Sequence, residues 1–509
     1  MKNRMLNRLL SPFLLLLLSA AILSGCREQS VKEPSVSAQN TAAGEQSAET
    51  VPEESISFVK DDLPADLDFD GRIVTWFIGD YMNAYWDEFY SEEQNGSRIN
   101  DAVWQCRTNV EERLNVKFDY YRKQVVYNDR NDIKKLISAS VMAGDNAYDV
   151  YAGRSLIDLV AEDKSFFHEL SSLEYIDITK PWWNQSVIDM MPGKDVYALT
   201  GDGTLSLMKH AFCVFFNQTM LQAFDDSVDL YELVRTGRWT IEKIKQYAEM
   251  AYSDVNGNSE ADYGDNFGLT FGDTNKYLGF QMAFGGVTVL KGSNGYEMHI
   301  EDEAMVNAYD AAYALVHETK GVLRPGSNTA DNPLAVEAFG GNYADKTFMS
   351  GNALFTMSLV GDASTLIGDA SFDYGMIPYP KYDEKQENYV TGNQRQAYFA
   401  ILGYADAELS AAVLEAWSSE CYRSLQPEYF EINLKTRYAA DEDMAEMFDL
   451  IRSTIKVDVS NFFGNIVDSM VNPMKTLIVD KKQGQWSSEI AKSMGKWETK
   501  FAEIWDVFS

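Results

Sequence analysis

Apolar residues in the first third of the chain switch between two spacings. Gly71-Arg72 leads into the run Ile-Val-Thr-Trp-Phe-Ile over residues 73–78, which ends at Gly79-Asp80 and reads as a buried strand. Ile99, Ala102, Val103, Cys106, Val110 and Leu114 then recur at helical spacing, and Val116 to Tyr121 returns to strand. Ile133, Leu136, Ile137 and Val141 make a second helical face ahead of a strand over Tyr148 to Tyr151. Strand, helix, strand, helix, strand predicts a βαβαβ layout, hence a parallel sheet with helices on its faces. Such sheets bind ligands beyond the carboxyl ends of their strands, where Asp80 and Arg154 stand. Each has a second reading: Asp80 as the cap of the following turn, Arg154 as the partner of Asp158 one helical turn on.

Further along, Lys180-Pro-Trp-Trp-Asn184 carries an aromatic pair where Pro181 blocks regular pairing. Aromatic faces suit the C–H faces of pyranoses, so Trp182 or Trp183 is a candidate stacking surface, although one of two adjacent tryptophans commonly faces the core. Two strand-like segments lie between Val196 and Phe216, with a helix after Asn217. In Gly237-Arg-Trp-Thr-Ile-Glu-Lys-Ile244, Thr240 is placed as an N-cap with Glu242 in the first turn, and Ile241, Ile244, Tyr247 and Ala248 share a face. Tyr374 to Ile377 reads as a short strand stopped by Pro378 and Pro380. A charged connector and a second apolar run, Tyr398 to Tyr404, follow, a pattern that suits a hinge between two lobes. Leu409 to Leu425 is expected to be an amphipathic helix, and Asn461-Phe-Phe-Gly464 opens another.

The loop from Asp254 to Asp265 changes the picture by adding candidate metal chemistry. Asp254, Asn256, Asn258, Glu260 through its carbonyl, Asp262 and Asp265 have the spacing of a calcium loop. Ser259 stands where that loop requires glycine, and Asp265 is shorter than the usual glutamate, so a calcium-free polar turn is the other reading. A filled site would be structural; no cofactor is required by anything in the sequence. The four histidines share no metal-ligand spacing, and Cys106, Cys213 and Cys421 form neither a disulfide framework nor a zinc cluster, which favours buried free thiols.

At the N-terminus, Lys2, Arg4 and Arg8 precede an apolar run from Phe13 to Leu23, too short to span a bilayer comfortably. Leu23-Ser24-Gly25-Cys26 closes it, and residues 27 to about 67 are too poor in large apolar side chains to fold, making a tether. The 509 residues carry a net charge of −33, which disfavours nucleic acid and anionic lipid headgroups as partners.

Leu-Ser-Gly-Cys26 resembles the lipobox of bacterial lipoproteins, implying a diacylglyceryl group on Cys26, palmitate-type acylation and membrane attachment on the extracytoplasmic face without a spanning helix. The ordered landmarks after it, the tryptophan-containing first strand, Arg238-Trp-Thr-Ile-Glu-Lys-Ile244, the Asp/Asn loop, Phe348-Met-Ser-Gly-Asn-Ala353 and Phe372-Asp-Tyr-Gly-Met-Ile-Pro-Tyr-Pro-Lys381, resemble the carbohydrate-type branch of the solute-binding proteins of ABC importers, the maltose-binding-protein-like branch. That resemblance covers roughly residues 70–500 and implies an α/β, two-lobed periplasmic-binding-protein-like type II fold with multiple inter-lobe crossings. The expected division is a signal peptide (1–25), a tether (26–67), lobe 1 (68–208 plus 390–430) and lobe 2 (209–389 plus 431–509). It implies a monomer that captures an oligosaccharide by lobe closure for ABC permease subunits and catalyses nothing. Asp80, Arg154, Trp182 or Trp183, and Phe462 or Phe463 are the ligand-contacting residues it implies. Where family members carry a stacking tryptophan, Ser358-Leu-Val360 stands here, which puts a maltose-like pocket in doubt. The alternatives are a binding protein for peptides or other small solutes, and a surface-anchored glycoside hydrolase, for which no carboxylate pair can be named.

Overall fold

The computed structural model describes residues 59–509 except 127–128, 130, 260–263, 326–342, 366, 368–369, 430–441, 468–469 and 471. The opening βαβαβ pattern forms as its periodicity requires. Strand β1 (Arg72–Tyr81) leads to a helix at Arg98–Leu114, β2 (Val116–Val125), a helix at Asn131–Ala143 and β3 (Val150–Gly153). Both β2 and β3 pair with β1 in parallel, in the registers Trp76 to Tyr120 and Trp76 to Val150. The first helix buries Ala102, Val103, Cys106, Val110 and Leu114, then ends at Asn115, whose left-handed φ of 49° stops the helical path. β11 (Tyr398–Ile401) closes this sheet antiparallel to β3, giving the order β11-β3-β1-β2.

A second sheet has the order β10-β4-β9-β5-β8, from β4 (Phe212–Asn217), β5 (Phe267–Phe271), β8 (Val322–Leu323), β9 (Ala353–Leu359) and β10 (Tyr374–Pro378). Every residue of β4 and β9 is buried, so these near-continuous apolar runs form the middle of a sheet covered on both faces. β10 pairs only with β4, and Pro378 is its last residue, an edge position where a missing N–H costs nothing. The Trp239 indole donates to the Pro378 carbonyl at 2.9 Å and is itself fully buried, a packing anchor between this edge and the helix Ile241–Ala251. Thr240 holds the N-cap position of that helix through its backbone, without a side-chain cap bond.

The chain therefore leaves the first sheet after β3, builds the second, and returns between β10 and β11. It is an α/β fold of two main sheets, the first assembled from two separated stretches of chain and the second from one. β6 (Val289–Lys291) and β7 (Tyr296–Met298) form a small hairpin, and Tyr296 sits 5.1 Å from the Phe501 ring of the long helix Trp486–Phe508.

Two expectations need correction. Residues 196–201 do not form a strand beside β4; Leu199 makes an isolated bridge to Phe399 instead. The segment 409–425 is not amphipathic: an α-helix at Ala407–Glu420, buried at every position from Leu409 to Ser419, runs into a π-helical turn at Cys421–Leu425. A helix packed on all sides has no solvated face to keep polar. Cys106, Cys213 and Cys421 are free and buried. Among the described residues, no helix is long and apolar enough to cross a membrane.

Candidate functional site

A cavity of about 490 Å³ lies where elements of both sheets converge, within the usual range for ligand pockets of about 300–1,000 Å³. The first sheet contributes Tyr81, the last residue of β1, Arg154 and Ser155 just beyond β3, and Tyr398 at the start of β11. The second contributes Phe212 at the start of β4, with Leu278, Gln281 and Met282 from the helix Leu278–Ala283 packed beside it. The returning connector supplies Gly392 to Gln396, and Asp458, Asn461, Phe462, Asn472 and Lys475 complete the lining. Strand ends thus place the site where open α/β sheets bind ligands.

Its polar groups are unevenly satisfied. Tyr85 is buried and donates its hydroxyl to the Gln396 carbonyl at 3.2 Å; burial holds its phenol well above the ordinary range. The Gln396 side-chain nitrogen donates to the Tyr398 hydroxyl and that of Asn393 to the Leu207 carbonyl, but Gln396 Oε1, Asn393 Oδ1 and Gln281 Oε1 are buried with no hydrogen-bond partner. A buried acceptor left unmet costs about 1–3 kcal/mol, and among the described residues three such oxygens belong to side chains that line this cavity. Asp458 is different. Its Oδ1 accepts from the Ser460 N–H at 2.8 Å and its Oδ2 from the Thr288 hydroxyl at 2.9 Å, while burial raises its pKa against those bonds. The Arg154 guanidinium lies 5.0 Å from the Tyr81 ring centroid and that of Arg395 lies 6.0 Å from the same centroid.

Of the residues named from sequence, the cavity brings together Arg154 and Phe462, whose ring packs 5.2 Å from that of Tyr398. Asp158 is paired with Lys134 at 2.8 Å. The others stand elsewhere. Asp80 is fully buried and off the cavity: Oδ2 accepts from Arg122 Nε at 2.9 Å and Oδ1 from the Tyr85 N–H at 3.0 Å. Successive strand side chains point to opposite faces, so the next residue, Tyr81, reaches the cavity instead. Phe463 is buried against Tyr296 and Phe508. Trp182 and Trp183 are 0% and 2% exposed and border a second cavity of about 500 Å³. There the Trp183 indole donates to Glu415 Oε2 at 3.2 Å, and burial pushes the Glu415 carboxyl up to about 8.

Sequence reasoning missed Tyr81, Gln281, Asn393, Arg395, Gln396 and Lys475. A signal existed for three of them: Asn393-Gln-Arg-Gln396 is an uninterrupted run of amide and guanidinium side chains leading straight into β11.

In the polar loop, Asp254 Oδ1 and Oδ2 accept from the Gly257 and Ser259 N–H groups, both at 2.6 Å, and Asn256 Oδ1 from the Asn258 N–H at 2.9 Å. Asp265 is buried and accepts from the Val255 N–H at 2.9 Å. Ser259 takes the left-handed conformation itself, φ 67°, so the turn forms without the missing glycine. Each carboxylate oxygen keeps a second lone pair, so these bonds are compatible with a cation. Glu260 and Asp262 lie outside the described residues, among which no cluster of three metal-ligating side chains occurs.

Two sheets, the first completed by a strand that returns after the second is built, with a polar-aromatic cavity at their strand ends, define a periplasmic-binding-protein-like type II fold. The same fold is found in the ABC substrate-binding protein Lmo0181 of Listeria monocytogenes in complex with cycloalternan (TM-score 0.50, 13% identity, 84% of this chain and 100% of that one). It is found again in UspC of M. tuberculosis (0.52, 14%, 84% and 100%) and in maltose-bound MalE3 of T. maritima (0.51, 12%, 84% and 100%). At such identities the likeness is one of fold. Neither a protein-family model nor a curated protein matches the sequence.

Proposed function

We propose that this chain is the solute-capturing subunit of an ABC importer, that it closes around an oligosaccharide, and that it performs no chemistry on it. The observation that carries the reading is the cavity itself, where strand ends of both sheets bring amide and guanidinium side chains together with aromatic rings. Sugar hydroxyls are donors in number, and an amide acceptor in a dry site is a strong selector for them. The cycloalternan complex of Lmo0181 and the maltose complex of MalE3 support the ligand class by fold analogy. Hydrolysis needs two carboxyl groups across the cleft; among the described residues lining the cavity, Asp458 is the one carboxylic acid, and its oxygens serve Ser460 and Thr288. Closure follows if the guest contacts Arg154 and Tyr81 on one side and Gln281 on the other, since only differential affinity for the closed state moves the equilibrium.

Calorimetry against an oligosaccharide panel tests this, with solution scattering to follow compaction and product analysis to check for cleavage. Saturable binding with compaction and intact sugar is expected. Turnover of a bound sugar, or tight binding confined to peptides, defeats it.

The same reading places the protein as a monomer on the extracytoplasmic face, held by lipid on Cys26 and docking on permease subunits. Mass spectrometry of membrane-extracted protein is expected to show a diacylglyceryl Cys26 peptide. The loop from Asp254 to Asp265 is proposed as a structural calcium site, with Asp254, Asn256, Asn258, Glu260, Asp262 and Asp265 as its oxygen donors. Calcium at 100 times its dissociation constant stabilises the native state by about 2.7 kcal/mol. Chelator is therefore expected to lower the melting temperature, and Asp254→Ala to remove that response; no calcium by elemental analysis and no chelator effect would reject the site.

A further inference from the structure

The acid–base balance of the chain inverts at the cavity. Acidic residues outnumber lysine and arginine by 77 to 44 in the whole sequence, yet the described cavity lining holds Arg154, Arg395 and Lys475 against the single acid Asp458. None of the three cations is within ion-pair distance of a carboxylate among the described residues. Arg154 rests on the Tyr81 ring, Arg395 shares that ring and reaches only Gln394 Oε1 at 3.5 Å, and Lys475 donates to Asn275 Oδ1 at 3.2 Å. The basic groups just outside the lining are paired, Lys209 to Glu88 at 3.1 Å and Lys276 near Asp273 and Asp362. Among the described residues, the three cations of the lining stand without a carboxylate, whereas these two neighbours do not.

Two guanidinium groups held around one phenol ring repel each other, and a ring face satisfies their π surface while leaving the N–H edges as donors. A neutral guest that displaced water from this space would strengthen the repulsion by lowering the local dielectric. An anionic guest would relieve it and take forked hydrogen bonds. The half-buried neighbour His210 lies in the same field. Burial first, and then the positive charges of Arg395, Lys209 and Lys276, hold its pKa well below the ordinary value.

We propose that the oligosaccharide taken by this cavity is an acidic one, a carboxylate- or sulfate-bearing glycan whose anionic groups lie against Arg154, Arg395 and Lys475. This rests on the sugar-capture reading above and narrows it. In a chain of such negative charge, a local basic cleft is what lets an acidic ligand approach and stay.

The test is calorimetry on the purified protein, at low and raised salt, with four probes: tetragalacturonate, its carboxyl-reduced neutral counterpart, a sulfated chondroitin tetrasaccharide and maltotetraose. At least one acidic probe is expected to bind tenfold or more tighter than both neutral ones, about 1.4 kcal/mol, with the gap shrinking as salt rises. Tight binding of tetragalacturonate shows that carboxylate suffices, and binding of the chondroitin tetrasaccharide alone, which carries carboxylates too, shows that sulfate is needed. Arg395→Gln and, separately, Lys475→Gln are expected to cost acidic binding about tenfold while leaving the melting temperature unchanged. Neutral probes binding as tightly as acidic ones would overturn the acidic assignment and leave sugar capture standing. Free glucuronate or inorganic sulfate binding as tightly as the tetrasaccharides would overturn it as well, by showing an anion site without a glycan site. Binding of no glycan of either kind would overturn sugar capture itself.

Discussion

The two cavities are nearly equal in volume, about 490 and 500 Å³, and differ in what their polar groups do. Around the second, Asp202 meets Arg452 at 3.3 Å, Gln426 Nε2 donates to the Asp202 and Thr204 carbonyls at 3.0 Å each, and Asn184 accepts from the Ser186 N–H at 3.2 Å. The Trp182 indole nitrogen, which lies beside Glu415 without a full hydrogen bond, is its one unmet polar group among the described lining residues. Around the first, three amide oxygens have no partner and three cations no carboxylate within ion-pair distance among the described residues. Size does not separate a binding site from a packing gap; the two linings differ instead in charge and in how many of their polar groups are met.

The largest effect that separates the two is expected from Trp183→Ala. The side chain is 2% exposed, packs 6.4 Å from the Phe399 ring and holds a buried carboxyl. Removing a buried tryptophan costs about 3–5 kcal/mol, read as a lowered denaturation midpoint, with ligand affinity of the folded protein unchanged. Lost affinity at unchanged stability would move the binding site to the second cavity.

Glu415 sharpens the contrast through pH. Burial raises its folded pKa to about 8 against an ordinary carboxyl value of 4.5, with the two indoles opposing the shift. Between those values the folded state holds a proton that the unfolded state has released. The carboxyl's contribution therefore falls as pH rises through this window, by up to about 1.4 kcal/mol per pH unit, and is level above and below it. Glu415→Gln removes the ionisation, so its unfolding free energy is expected to gain on that of the parent from pH 5 to 8. A parallel pair of stability curves would show the carboxyl to be solvated, and the second cavity to be wet.

How much of this was legible in the sequence follows from what kind of information each feature needs. The parallel sheet was legible because period-3.6 and period-2 apolar patterns alternate cleanly from Ile73 to Tyr151. The stop at Pro378 was also legible, from local chemistry. The helix over Ala407–Glu420 was misjudged because its polar serines and Glu415 are buried, which only tertiary contacts decide. At the site, Arg154 was reachable from its strand-end position and Phe462 from the resemblance, although Phe462 closes the short helix Val459–Phe462 and does not open one. Asp80, by contrast, was chosen over Tyr81 by one step of strand alternation. Gln281 and Lys475 come from helices nearly 200 residues apart and carry no local motif. No periodicity marks an amide whose importance is that nothing pairs with it.

That amide supplies the smallest effect and the sharpest one in sign. Gln281 is 5% exposed with Oε1 unpartnered, so Gln281→Leu replaces an unmet acceptor by an apolar side chain of similar volume. Relief of the unmet group is expected to raise the unfolding free energy of the empty protein by about 1 kcal/mol, while the lost acceptor weakens ligand binding about tenfold, or 1.4 kcal/mol. Gln426→Leu, in the second cavity, removes two bonds to main-chain carbonyls and is expected to do the opposite: lower stability by about 1–3 kcal/mol and leave affinity alone. Stability gained where binding is lost is the mark of a site built for a guest. If Gln281→Leu lowers stability and spares binding, as Gln426→Leu should, the two cavities are alike and the unmet carbonyls of the first have no ligand to meet.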